Sequence, residues 1–160
     1  MSEHGETTMS LRMRISDALK QAMKDKAAER LSTLRLINAA IKDKDIAARA
    51  GGNDDGVPEA EVLSILSKMS KQRLESARAY EEGGRLDLAD RERSEIEVIE
   101  EFLPRQLSAE ETTAAVDAAV AEIGATSIRD MGKVMGLLKE RYTGQMDFGT
   151  VGPMIKDRLS

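Results

Sequence analysis

An all-α protein is predicted, with an N-terminal four-helix domain followed by a small C-terminal three-helix domain. Three observations carry that expectation. Ala, Leu, Glu, Lys, Arg and Met, the strong helix formers, are abundant in the 160 residues. Pro occurs only at 58, 104 and 153. Apolar residues recur at spacings of three and four rather than two.

Taken in order, residues 1–10 are expected as a disordered tail. Leu11, Ile15, Leu19 and Met23 then step by four, the mark of a first amphipathic helix that weakens at Lys24-Asp25-Lys26. Leu31, Leu34, Ile37 and Ile41 mark a second helix running to Arg49. Residues 51–56, Gly-Gly-Asn-Asp-Asp-Gly, are a loop. Pro58 suits the first turn of a third helix, with Glu59 and Glu61 at its positive end. Val62, Ile65, Leu66, Met69 and Tyr80 follow, and Gly83-Gly84 closes it. Asp87 can cap a fourth helix carrying Leu88, Ile96, Ile99 and Leu103. Pro104 disfavours helix at the residue before it. The N-terminal domain is therefore placed at 11–103 and the C-terminal one at 104–160, with a hinge at Pro104–Ser108. Ser108 to Glu111 reads as a capping box for a helix with Val116, Val120 and Ile123. Ser127 to Asp130 starts another, with Met131, Val134, Met135 and Leu138 inward. A last short helix centres on Val151, Ile155 and Leu159.

The chemistry open to the chain is narrow. Without Cys there are no disulfides, thiolate metal sites or Cys nucleophiles. The one His is His4, in the polar N-terminal stretch, so His-based triads and metal sites lose their usual residue. No phosphate-binding glycine loop occurs, since Gly51-Gly52 follows no apolar strand. Adjacent carboxylates such as Asp54-Asp55 or Glu100-Glu101 would diverge by about 100° on a helix. Tyr80, Phe102, Tyr142 and Phe148 are the only aromatics, few for stacking nucleic-acid bases. The net charge of −5 has the wrong sign for a general nucleic-acid binder, though a local basic face stays open. No apolar run approaches the roughly 20 residues of a membrane span, and the first ten residues lack a signal peptide's apolar stretch. A cytoplasmic protein with no catalytic residues, no metal, no cofactor and no membrane partner is expected.

Two arginines and two glutamates fall on apolar faces. Val62, Met69 and Tyr80 fall within roughly 20° of one another with Leu66 nearby, and Arg73 lies in the middle of that stripe. Arg30 falls between Ile37 and Ile41, and Glu92 and Glu95 bracket Leu88 and Ile99. Charges placed there need partners. Arg30 or Arg73 is therefore expected to bond Glu92 or Glu95, as structural ion pairs fixing helix register or as the lining of an anion pocket. Lys68, Lys71 and Arg78 share a helix side with Glu75 and read as a solvated face. Met131, Met135 and Met146 read as core fillers. Gly132 and Gly136, one turn apart, suit either close helix packing or close approach to another macromolecule's backbone.

Several runs resemble the GatB/YqeY family. They are Glu29 to Arg35, Lys68 to Ala77, Gly84 to Asp90 followed by Glu95-Ile96, Phe102 to Ser108, and Asp130 to Gly136. The likeness covers residues 9–160. It implies an N-terminal helical domain followed by a small helical domain similar to the tail of the B subunit of glutamine-dependent aminoacyl-tRNA amidotransferase. That enzyme is a carbon–nitrogen ligase with glutamine as amido donor. In it the tail helps hold tRNA, while amide transfer and ammonia generation sit elsewhere. The positions matching the tail's tRNA-facing motif are Gly132, Lys133 and Gly136, with Lys139 nearby. After Gly144 the chain reads Gln145-Met146 where family members often carry Arg-Ala, which weakens a phosphate contact at that turn. The resemblance implies a non-catalytic, tRNA-associated accessory protein. The alternative is a protein–protein module without RNA contact, with amidotransferase subunits or other translation-related proteins as partners.

Overall fold

The computed structural model describes residues 10–52 and 54–160. Among them every regular element is helical: α1 (Leu11–Lys24), α2 (Ala28–Ala50), α3 (Glu59–Glu82), α4 (Leu86–Glu100), α5 (Ala109–Ile123), α6 (Met131–Tyr142) and α7 (Phe148–Leu159). A 3-10 turn, Ile128–Asp130, precedes α6. The chain divides into two compact units between Leu103 and Pro104.

In the first unit the expected tail falls outside the described residues except for Ser10, which caps α1 by accepting the Met13 N–H at 3.2 Å. The core gathers Leu11 and Ile15 from α1, Leu34, Ile37 and Ile41 from α2, and Val62, Leu66 and Met69 from α3, with Ile99 and Phe102 closing it. The stripe expected to reach Met23 stops short. Each step of four turns the helix by about 40°, so three steps carry Met23 about 120° away from Leu11. Met23 is 53% exposed and Ala22 is buried in its stead. Asp87 does not cap α4: Arg85 holds the N-cap position and Asp87 lies in the first turn. Leu88 and Ile96 are only half-buried, and Ala89 and Ile99 form the buried face.

The segment between α2 and α3 is fastened by charge. Arg12 donates two hydrogen bonds to Asp45, at 3.0 and 2.6 Å, and one to the Val57 carbonyl at 3.0 Å. The Val57 N–H donates to Asp45 Oδ1 at 2.9 Å, and the Leu11 N–H to Glu59 Oε1 at 2.8 Å. These bonds hold the Asp45 carboxyl at a pKa of about 2, the Arg12 guanidinium being the larger cause and the Val57 amide the next.

The second unit packs Val116 and Ala119 of α5, Val134 and Leu138 of α6, and Val151 and Ile155 of α7 around Met146. Ser108 and Glu111 exchange the reciprocal bonds of a capping box at the start of α5. Arg105 adds two bonds to Glu111, at 2.9 and 3.0 Å, and holds its carboxyl at about 2. The stretch expected as a hinge is tied down within this unit. The Leu107 N–H donates to the Gln145 carbonyl at 2.9 Å, and the Gln106 side-chain amide donates to the Gly144 carbonyl.

Candidate functional site

Helix α6 turns one face inward and one outward. Val134 and Leu138 are buried, while Gly132, Lys133, Gly136 and Lys139 are exposed. At about 100° per residue, Gly132, Gly136 and Lys139 fall within about 60° of one another, and Lys133 lies at their flank. A Cβ built on Gly132 or Gly136 meets nothing within 4 Å. The close-packing expectation therefore does not describe these glycines: no helix of the unit lies against them. Gly152 of α7 is the contrast. It is buried, and a Cβ there would touch the terminal methyls of Met131 and Met135 at 3.7 Å.

Electrostatics at this face are modest. The Asp130 carboxylate accepts the Thr126 N–H at 3.0 Å, which lowers its pKa, and Lys133 adds to the effect. Lys139 Nζ sits 6.0 Å from the centre of the Phe148 ring, at the outer limit of a cation–π contact. Phe148 was not foreseen here, because no helical spacing places a residue across a turn against Lys139. The turn that departs from the family pattern has a structural part to play. Met146 is buried, and Gly144 takes a φ of +81°, a conformation that favours glycine. Gln145 donates its N–H to Tyr142 and accepts that of Leu107.

The four charged residues expected on apolar faces divide. Arg73 Nε donates to Glu95 Oε1 at 2.8 Å, with side chains 16% and 22% exposed. Arg30 reaches neither expected glutamate. It makes a two-pronged bond to Glu101, at 2.6 and 2.9 Å, on a more exposed edge. Glu92 is half-buried and forms no ion pair among the described residues. No anion pocket results, because each arginine faces its own carboxylate. A shallow groove between α3 and α4, lined by Ser70, Leu74, Arg93, Ile96, Glu97 and Glu100, is open to water. Arg93 there is engaged by Glu81 at 3.0 Å. Among the described residues no three His, Cys, Asp or Glu side chains gather as a metal ion requires, and no helix is long and apolar enough to cross a membrane.

Comparison with known proteins points to one family. The family model described as Yqey-like protein matches residues 12–159. Among curated proteins the chain is similar to altered inheritance of mitochondria protein 41, mitochondrial, of Meyerozyma guilliermondii. That match has 40% identity over 85 residues, 53% of this chain and 42% of the relative. The protein of the same name from Eremothecium gossypii is 34% identical over 110 residues, 68% of this chain and 58% of the relative. That from Lachancea thermotolerans is 36% identical over 105 residues, 66% and 53%. The matches thus span about half the length of these relatives. Their mitochondrial names overturn the cytoplasmic expectation. It rested on the lack of a long apolar run and of a signal peptide's apolar stretch, features that do not tell one aqueous compartment from another.

Proposed function

The chain belongs to the Yqey-like protein family, and from that premise we propose that it is a non-catalytic accessory protein that associates with tRNA through the outer face of α6. One observation carries the reading: two glycines inside or near the start of a helix, facing open space. Glycine in a helix interior costs roughly 1 kcal/mol against alanine. Nothing within the unit recovers that cost by packing. A backbone bare of side chains, flanked by Lys133 and Lys139, suits close approach of a phosphate–sugar backbone, which needs no aromatic stacking. The relation of this family to the amidotransferase B-subunit tail makes tRNA the natural choice of RNA. On this reading the four helices before Pro104 and the three after it are separate domains, the second carrying the contact.

Fluorescence anisotropy of labelled tRNA at two salt concentrations tests the proposal. Saturable, salt-sensitive binding that falls in K133Q/K139Q and in Gly136→Val is expected. Absence of saturable binding at low salt would end it. A second reading, a protein–protein module, draws on Ile128, an apolar side chain 48% exposed in the turn just before α6. It predicts that Ile128→Ser releases a protein partner while K133Q/K139Q does not.

A further inference from the structure

Helix α2 has a second exposed row, in the other unit. Its buried side is Thr33, Leu34, Ile37 and Ile41. On the opposite side Arg35, Lys42 and Arg49 fall within about 40° of one another. Seven residues of helix advance about 10.5 Å, so the three cations form a row about 21 Å long. All three are exposed, and none takes part in a hydrogen bond or salt bridge among the described residues. The charge that Arg49 feels is Asp45, whose carboxylate is already held by Arg12 and Val57. The remaining acids of α2, Asp43 and Glu29, lie about 80° or more from each of the three around the helix.

The spacing says what such a row can meet. A single anion is bound by cations that converge, and these are separated by whole turns. A row suits a repeating anion. A lipid surface would also want a broad apolar face to bury, and here Ile46 is the one exposed large apolar side chain within about 40° of the row, since Leu31, at the same helix angle as Arg49, is half-buried and packed against the core. The row has no aromatic residue for stacking unpaired bases, which favours the backbone of a structured RNA.

We propose that the exposed face of α2 is a second RNA-backbone contact, in which Arg35, Lys42 and Arg49 each neutralise phosphate. This extends the tRNA reading to the first unit and rests on it. The full chain is titrated against bulk tRNA, and separately against phosphatidylcholine vesicles containing phosphatidylserine. In R35Q/K42Q/R49Q, tRNA affinity near 50 mM salt should fall about tenfold or more, and the slope of log K against log salt should flatten by about 2–3. R35K/R49K should keep the wild-type slope, and circular dichroism should show unchanged helix content in both. Affinity within about twofold of wild type with the same slope would overturn the proposal. So would a triple variant that loses vesicle binding and keeps tRNA binding. Loss in K133Q/K139Q alone would overturn it while leaving the α6 reading intact. Loss in the α2 variant alone would do the reverse.

Discussion

The two units use glycine differently. In the first, the described glycines all stand in turns: Gly51 and Gly52 after α2, Gly56 before α3, and Gly83 and Gly84 between α3 and α4. Each ends a helix or bends the chain. In the second, Gly124 and Gly144 do the same, Gly149 opens α7 with its N–H on the Asp147 carboxylate, Gly152 is buried against two methionine methyls, and Gly132 and Gly136 do none of these. A fold accounts for its own glycines by positive φ, by a place at a helix end or by burial. Those left over point to something outside the fold.

Substitutions break or sharpen that contrast, and the largest effect concerns whether the units are separate at all. Ile37→Ala in the first core and Ile155→Ala in the second should each cost about 3 kcal/mol, since both side chains are fully buried. Calorimetry should show each lowering its own transition. One shared transition moved equally by both would join the units thermodynamically.

Asp45→Ala should destabilise the first unit by about 2 kcal/mol, leaving Arg12 without its carboxylate and the Val57 N–H without its acceptor. The folded carboxyl titrates at about 2 rather than 3.8. Its contribution is therefore whole above about pH 4 and is lost as pH falls toward 2. Acid titration followed by circular dichroism should show that loss in the parent and a weaker one in Asp45→Ala.

Arg73→Ala should cost about 1–2 kcal/mol, because the Arg73–Glu95 pair is partly wet and water replaces some of what is lost. Arg30→Ala, on a more exposed pair, should cost under about 1 kcal/mol. Equal losses in urea melts would mean exposure does not rank these pairs. The smallest effect has the opposite sign. Gly136→Ala should stabilise the second unit by about 1 kcal/mol while weakening tRNA binding. A stabilised variant with unchanged binding would return this glycine to the ordinary.

Helix positions were legible because apolar spacing and punctuation by glycine and proline are local properties. The partner of Arg30 was not, because how far α4 slides along α2 decides whether Glu95 or Glu101 comes within reach. Met23 failed for a gentler reason: a strict step of four drifts off any straight face. The outer face of α6 was half legible. Spacing puts Gly132 and Gly136 on one side, but only the packed unit shows that side to be empty. The Asp45 latch went unseen, since it joins residues 33 and 12 positions apart that share no periodic signal.

The bonds from Gln106 and Leu107 to the turn after α6 have a mechanical consequence. Tension arriving along the chain from the first unit meets that turn before it meets the first residue of α5. The strain of any tug between the units is therefore delivered beside Lys139. A single-molecule pull should unseat the Gly144–Gln145 corner first and unravel α5 only afterwards.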